Sequence, residues 1–285
     1  SASDGVATLA GASIACAVAG ADANMMSIAM SAHIVRLNFS FRTGRLDGAT
    51  ALRFTVLSQS QQTPRATVLV VDFGAQYAQL IARRVRELHV FSEIVGHRLS
   101  AAEMAAKNPA AIILSGGPKS VHVEGAPSLD PAVYDLGVPI FGICYGAQLI
   151  AQQLGGTVGR GMRGEYGRAE LQRLGDSLIL PDEAPARHEC WMSHFDGITE
   201  APDGFAVTAS SPGAPVAVLE NEERKIYGVQ FHPEVKHSPY GLAAMQRFLH
   251  ERAGIAPEWK MSSVVEEQVA LIRERVGDAR VICGL

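Results

Sequence analysis

The sequence predicts an α/β fold: an open, mostly parallel, twisted sheet with helices on both faces, plus a smaller sheet of mixed or antiparallel strands. Three observations predict it. Short unbroken apolar runs, such as Val68-Leu69-Val70-Val71 and Ala111-Ile112-Ile113-Leu114, read as strands buried on both faces. Segments of helical period lie between such runs, and strand alternating with helix builds a parallel sheet. After Gly156 the helical segments stop and short strand-like runs follow one another, which marks mixed or antiparallel pairing.

The elements follow in order. Residues 68–71 form the first strand, and Asp72-Phe73-Gly74 turns the chain. Tyr77, Leu80, Ile81, Val85 and Leu88 then recur at helical spacing. Residues 91–95 read as a strand, 101–106 as a helix, and 111–114 as a third strand that ends in Ser115-Gly116-Gly117-Pro118. A short helix at 131–136 precedes a fourth strand at 140–143, and an amphipathic helix covers 147–154. Short strands are expected at 169–171, 205–208, 216–219 and 226–231, and a closing helix at 242–249. Open parallel sheets bind ligands beyond the carboxyl ends of their strands. Asp72, Gly116, Gly117 and Cys144 stand there.

Composition bounds the rest. The chain has 285 residues, 47% hydrophobic and 19% charged, as in an ordinary globular protein. A net charge of −4 gives no electrostatic case for nucleic acid. The cysteines, Cys16, Cys144, Cys190 and Cys283, follow neither a zinc nor a disulfide spacing. That usage fits a reducing, cytoplasmic setting. Residues 1–65 read as an extension, disordered or loosely packed, the alternative being an extra helix packed on the domain. The apolar stretch in 1–32 is interrupted by Asp22 and has no basic flank before it, so it reads as neither a signal peptide nor a membrane span. The main domain is expected over 66–253. A boundary at Gly254-Ile255-Ala256-Pro257 leads into a helix at 264–276 and a strand at 279–285.

The chemistry centres on Gly142-Ile143-Cys144-Tyr145-Gly146. A strand, a sharp turn and a helix with a nucleophile at the turn make a nucleophile elbow, here with Cys in place of Ser. The helix N-terminus behind the thiol favours the thiolate. A nucleophilic Cys needs a base, and Phe231-His232-Pro233-Glu234 supplies one. In an extended segment an offset of two puts His232 and Glu234 on one side, so the carboxylate orients the imidazole. Gly117 and Tyr145 are the expected oxyanion donors: the glycine leaves its backbone N–H free to point inward, and Tyr145 follows the nucleophile. Trp191-Met192-Ser193-His194 offers a second histidine. His232 is preferred as the base for the carboxylate two residues on, Glu234. No metal-ligand spacing is present. The Gly-Gly pair lacks the Gly-Lys-Ser/Thr of a P-loop.

Gly-Ile-Cys-Tyr-Gly-Ala-Gln and His-Pro-Glu resemble the triad (class I) glutamine amidotransferases, whose fold is flavodoxin-like. Val-Asp-Phe-Gly-Ala-Gln-Tyr (71–77), Ile-Ala-Arg-Arg-Val-Arg-Glu (81–87), Ile-Ile-Leu-Ser-Gly-Gly-Pro (112–118), Trp-Met-Ser-His (191–194) and Tyr-Gly-Val-Gln-Phe-His-Pro-Glu-Val (227–235) narrow the resemblance to the amidotransferase domains of GMP synthetases. It covers residues 66–285. It implies that Cys144 attacks the carboxamide of L-glutamine, that His232 moves the protons, and that Gln148, Ser193 and His194 border the substrate. It further implies an ATP-pyrophosphatase (synthetase) domain, in cis or in trans, as partner. There ATP and Mg²⁺ would serve the amination of XMP to GMP.

Two departures from the family stand out. The family reads Trp-Met-Ser-His-Gly-Asp, whereas Phe195 stands at that glycine here, before Asp196. A glycine there implies close backbone approach or an unusual φ, so Phe195 is expected to narrow the glutamine pocket or strain its loop. Residues 281–285 resemble the first strand of the synthetase domain without the phosphate loop that follows it. The chain is therefore expected to be truncated and to have no ATP or XMP site of its own. The competing readings are another class I amidotransferase or γ-glutamyl hydrolase, and an inactive amidotransferase-like binding or regulatory module.

Overall fold

The computed structural model describes residues 66–260 apart from 75, 76 and 119, with backbone alone at 160–163. It also describes short strands before residue 51 and residues 269, 272, 273, 276 and 277. The chain divides into two compact units, Ser1–Thr63 and Pro64–Leu285. In the first, the described residues form three antiparallel pairings: Gly5–Leu9 with Ala12–Cys16, Ile28–Met30 with His33–Val35, and Arg45–Leu46 with Ala49–Thr50. The strand expected at 279–285, most of the helix at 264–276, and Cys283 lie outside the described residues.

The second unit is built on one sheet. Its elements are β1 (Thr67–Asp72), α1 (Tyr77–Glu87), β2 (Phe91–Gly96), α2 (Ala101–Ala105), β3 (Ala111–Leu114), a 3₁₀ turn (Pro131–Asp135), β4 (Ile140–Ile143) and α3 (Tyr145–Gln153). There follow β5 (Thr157–Arg173), β6 (Arg187–Glu200), β7 (Ala206–Ser211), β8 (Ala214–Asn221), β9 (Ile226–Val229) and α4 (Gly241–Gln246), which runs on into a wider π-type turn, Arg247–Arg252. The strand order is β6-β5-β7-β8-β9-β4-β3-β1-β2. β2, β1, β3, β4 and β9 are mutually parallel, and the remaining neighbours pair antiparallel.

The parallel part follows from alternation. Val68 and Val70 pack on one face of the sheet with Ile81 and Val85 of α1 and Phe248 and Leu249 beyond α4. Leu69 and Val71 point to the other face, with Met104 of α2 and Leu149 and Ile150 of α3. Each such side chain, fully buried, contributes roughly 1.5–3 kcal/mol. A five-residue helix such as α2 is marginal alone, so this packing, together with its Ser100–Glu103 capping box, holds it.

The antiparallel strands depart from expectation in two ways. They extend the parallel sheet as one nine-stranded sheet rather than forming a second one. The expected strand at 169–171 is the end of the 17-residue β5, and β6 was not foreseen at all. Gly159, Gly164 and Gly167 dilute the strand signal of β5. In β6 the inward positions include His194 and Asp196 beside Cys190, Met192 and Ile198, so polar residues occupy places where alternation usually shows apolar ones. β5 and β6 form a long hairpin, whose ladder pairing with the rest of the sheet, among the described residues, runs through Gln172 and Arg173 beside β7.

Candidate active site

β4 delivers Cys144 to the start of α3. Its backbone is held at φ 51 and ψ −103, a non-glycine strain of about 1–3 kcal/mol. The flanking glycines make the elbow possible by packing. A Cβ on Gly142 would lie 2.6 Å from Ile150 Cδ1, and one on Gly146 would lie 2.4 Å from the Leu114 carbonyl. Helix α3 therefore crosses its strands at a distance only glycine permits. Cys144 N–H donates to the Val229 carbonyl at 2.8 Å, locking β4 to β9 just before the site.

β9 runs out into His232, which is buried, as is Glu234. His232 Nδ1 and Glu234 Oε1 are 2.8 Å apart. Cys144 and His232 meet over Gly116: a Cβ there would lie 3.2 Å from His232 Cε1 and 4.0 Å from Cys144 Cβ. The Tyr77 ring packs on the imidazole at 4.7 Å between centroids. The turn is tied from three sides. Arg84 Nε donates to the Glu234 carbonyl at 2.8 Å, and Ser238 Oγ donates to the His232 carbonyl at 2.7 Å. Gly241 lies so close that its Cβ would sit 2.1 Å from the Pro233 carbonyl. Burial opposes a charge on His232. The neighbouring Cys144 sulfur, and then the Glu234 carboxylate, outweigh that and hold the imidazole well above the usual histidine range.

A cavity of about 690 Å³ opens in front of Cys144. Gly117, Tyr145, Gln148, Ser193, His194, Phe195 and His232 all line it. Gly117 packs against the Tyr145 ring, where a Cβ would fall 2.7 Å from Tyr145 Cγ. Among the described residues no backbone carbonyl accepts from the amide of Gly117 or Tyr145. The Cys144 thiol donates to the Ser193 carbonyl at 3.7 Å. Gln148 is buried, and its Nε2 donates to the Asp196 carbonyl at 2.6 Å and to Gln230 Oε1 at 3.4 Å. Gln230 Nε2 in turn donates to Cys144 Sγ at 3.9 Å.

The second histidine has a different setting. His194 Nε2 and Glu165 Oε2 are 3.1 Å apart, so His194 also has a carboxylate, supplied by the neighbouring strand. The expectation that a carboxylate two residues on separates the two histidines does not hold, since Asp196 stands two residues after His194 and Glu165 faces it across the strands. What separates them is position: His232 stands with Cys144 over Gly116, whereas His194 faces Glu165 across the β5–β6 ladder. Phe195 does not strain the loop: its φ is not positive, and it sits in β6, 57% exposed, at the cavity rim. Cys190 is buried, and burial followed by the Glu165 charge pushes its thiol up to about 12. Sequence reasoning did not single out Tyr77, Arg84, Glu165, Gln230 or Ser238. Only Gln230, two residues before His232, carried a local signal.

Comparison with known proteins agrees with this geometry. The sequence profile of glutamine amidotransferase class-I matches residues 69–252. The chain is 56% identical over 230 residues to a GMP synthase [glutamine-hydrolyzing] of Streptomyces coelicolor, covering 79% of this chain and 44% of that protein. It is 57% identical over 219 residues to a GMP synthase [glutamine-hydrolyzing] of Thermobifida fusca, covering 77% and 41%. The chain thus spans less than half the length of these relatives. The crystal structure of a candidate GMP synthase component from Thermoplasma acidophilum superimposes with a TM-score of 0.60 at 29% identity, over 73% of this chain and 100% of that one. A strand-turn-helix thiol beside a buried His–Glu pair, on a mixed sheet, within the matched residues, places the chain in the class I glutamine amidotransferase family.

Proposed function

We propose that residues 66–253 are the glutaminase part of a GMP synthase and that residues from 254 lead toward its synthetase part. The observation that carries the reading is Cys144, held at the elbow beside the buried His232–Glu234 pair. Cys144 attacks the carboxamide carbon of L-glutamine as a thiolate, with its proton on His232. Gly117 and Tyr145 donate their amide N–H groups to the oxyanion of the tetrahedral adduct. The C–N bond breaks as His232 returns its proton to the leaving nitrogen, which departs as ammonia and leaves a γ-glutamyl thioester. Water then attacks the thioester, His232 takes one of its protons, and glutamate leaves as Cys144 is restored. Glu234 holds the imidazole in the orientation that points its other nitrogen at sulfur. Gln148, Ser193 and His194 border the substrate.

The relatives' names support the acceptor. Ammonia passes to a synthetase domain, which uses ATP and Mg²⁺ to aminate XMP to GMP, and no residue of 66–260 is assigned to those cofactors. Among the described residues no helix is long and apolar enough to cross a membrane. The reading assigns the work to the cytoplasm, with no nucleic-acid or membrane partner. The test is glutamate release from L-glutamine by the chain alone and with a synthetase domain added in trans, with Cys144→Ala as control. Release that disappears in the control supports the reading. Release that survives in it, or none under either condition, overturns it.

A further inference from the structure

Glu165 is a buried carboxylate that the proposed chemistry does not use. It stands opposite His194 in the β5–β6 ladder, at the first rung after a break in register between Arg160 and Glu165. On β5 those two residues are five apart. Their partners on β6, Asp196 and His194, are two apart, so β5 carries extra chain in this interval. Pairing beside a bulge is weakly specified by the ladder itself. Side chains supply the specification here. Glu165 Oε2 receives His194 Nε2 at 3.1 Å and the Ser211 hydroxyl at 2.6 Å. One carboxylate oxygen thus ties β5 to β6 and to the end of β7.

The segment so fixed carries two groups of the cavity. The Ser193 carbonyl faces Cys144 Sγ at 3.7 Å, and the Asp196 carbonyl holds Gln148 Nε2 at 2.6 Å. We infer that Glu165 is a positioning residue for the glutamine site, acting through His194 to set where residues 193–196 of β6 stand before Cys144. The inference rests on the glutaminase reading above. Glu165 touches neither sulfur nor substrate in it, and its loss acts on recognition of the glutamine side of the cavity and leaves Cys144 and His232 in place.

The experiment compares Glu165→Ala and Glu165→Gln with the unsubstituted chain. Two alkylating probes of Cys144 are used: iodoacetamide, which needs only the sulfur, and a diazoketone analogue of glutamine, which must first occupy the glutamine site. The Michaelis constant for glutamine is measured alongside. A charge-assisted hydrogen bond lost here is worth about ten- to a hundredfold in an equilibrium. Glu165→Ala is expected to lower diazoketone labelling and raise the Michaelis constant by at least about tenfold, with iodoacetamide labelling within about twofold of the parent. Glu165→Gln, which keeps an acceptor for both partners but not the charge, recovers part of the loss. If Glu165→Ala does not fold, Glu165→Asp, one methylene shorter, carries the same expectation. Unchanged labelling by the diazoketone, or an equal fall with both probes, overturns the positioning role alone. A parent chain that takes neither diazoketone nor glutamine overturns the glutaminase reading, and this inference with it.

Discussion

Two buried histidine–carboxylate pairs border the same cavity. His232–Glu234 spans 2.8 Å and His194–Glu165 spans 3.1 Å, and all four side chains are at most 9% exposed. They resemble each other in distance and burial and differ in construction. The first is local: two residues apart in one tight turn, clamped by Arg84, Ser238 and Gly241. The second is a cross-strand pair, set by the register of β5 on β6. Only the first lies over Gly116 against Cys144. A carboxylate behind a histidine therefore does not identify a base. Adjacency to the nucleophile does, and the other pair is left to hold a wall.

The largest expected effect breaks the comparison directly. His232→Asn should lower glutamate release by about 10⁴-fold or more, since a nucleophile and its base act as one unit. His194→Asn should leave iodoacetamide labelling of Cys144 near the parent rate and act on the Michaelis constant. Parallel rate measurements check this, and equal losses in turnover for the two variants would erase the distinction drawn between the pairs.

Smaller is the effect of Glu234→Gln, about 10²-fold in turnover, because the imidazole remains but loses its orienting charge. The same variant sharpens the electrostatics. His232 is held above the ordinary histidine value by Cys144 first and Glu234 second, so it should stay protonated well above pH 6.5. A ring-resonance titration by NMR should show its midpoint fall in Glu234→Gln and fall further in Cys144→Ala. The reverse order would mean that the carboxylate, not the sulfur, dominates the charge on His232.

The smallest effect is at the rim. Phe195→Gly should lower the Michaelis constant for glutamine by a few-fold, within about 1 kcal/mol, because the ring lines the cavity from an unstrained strand. Thermal unfolding should drop slightly, since glycine inside a strand costs roughly 0.5–1 kcal/mol. An unchanged Michaelis constant would remove Phe195 from the pocket's account.

The sequence by itself determined whatever depends on neighbours along the chain. β1, β3 and β4 are continuous apolar runs. The elbow shows in two glycines around Cys144, and the nearness of His232 to Glu234 shows in their two-residue spacing. Tertiary structure decided what depends on partners far apart in sequence. Glu165 meets His194 across 29 residues, Arg84 reaches the Glu234 carbonyl across 150, and Gln148 gives its amide to the Asp196 carbonyl across 48. No local period encodes such pairings. They arise because a bulged hairpin is laid against the elbow, and because the antiparallel strands continue the parallel sheet to bring that hairpin there.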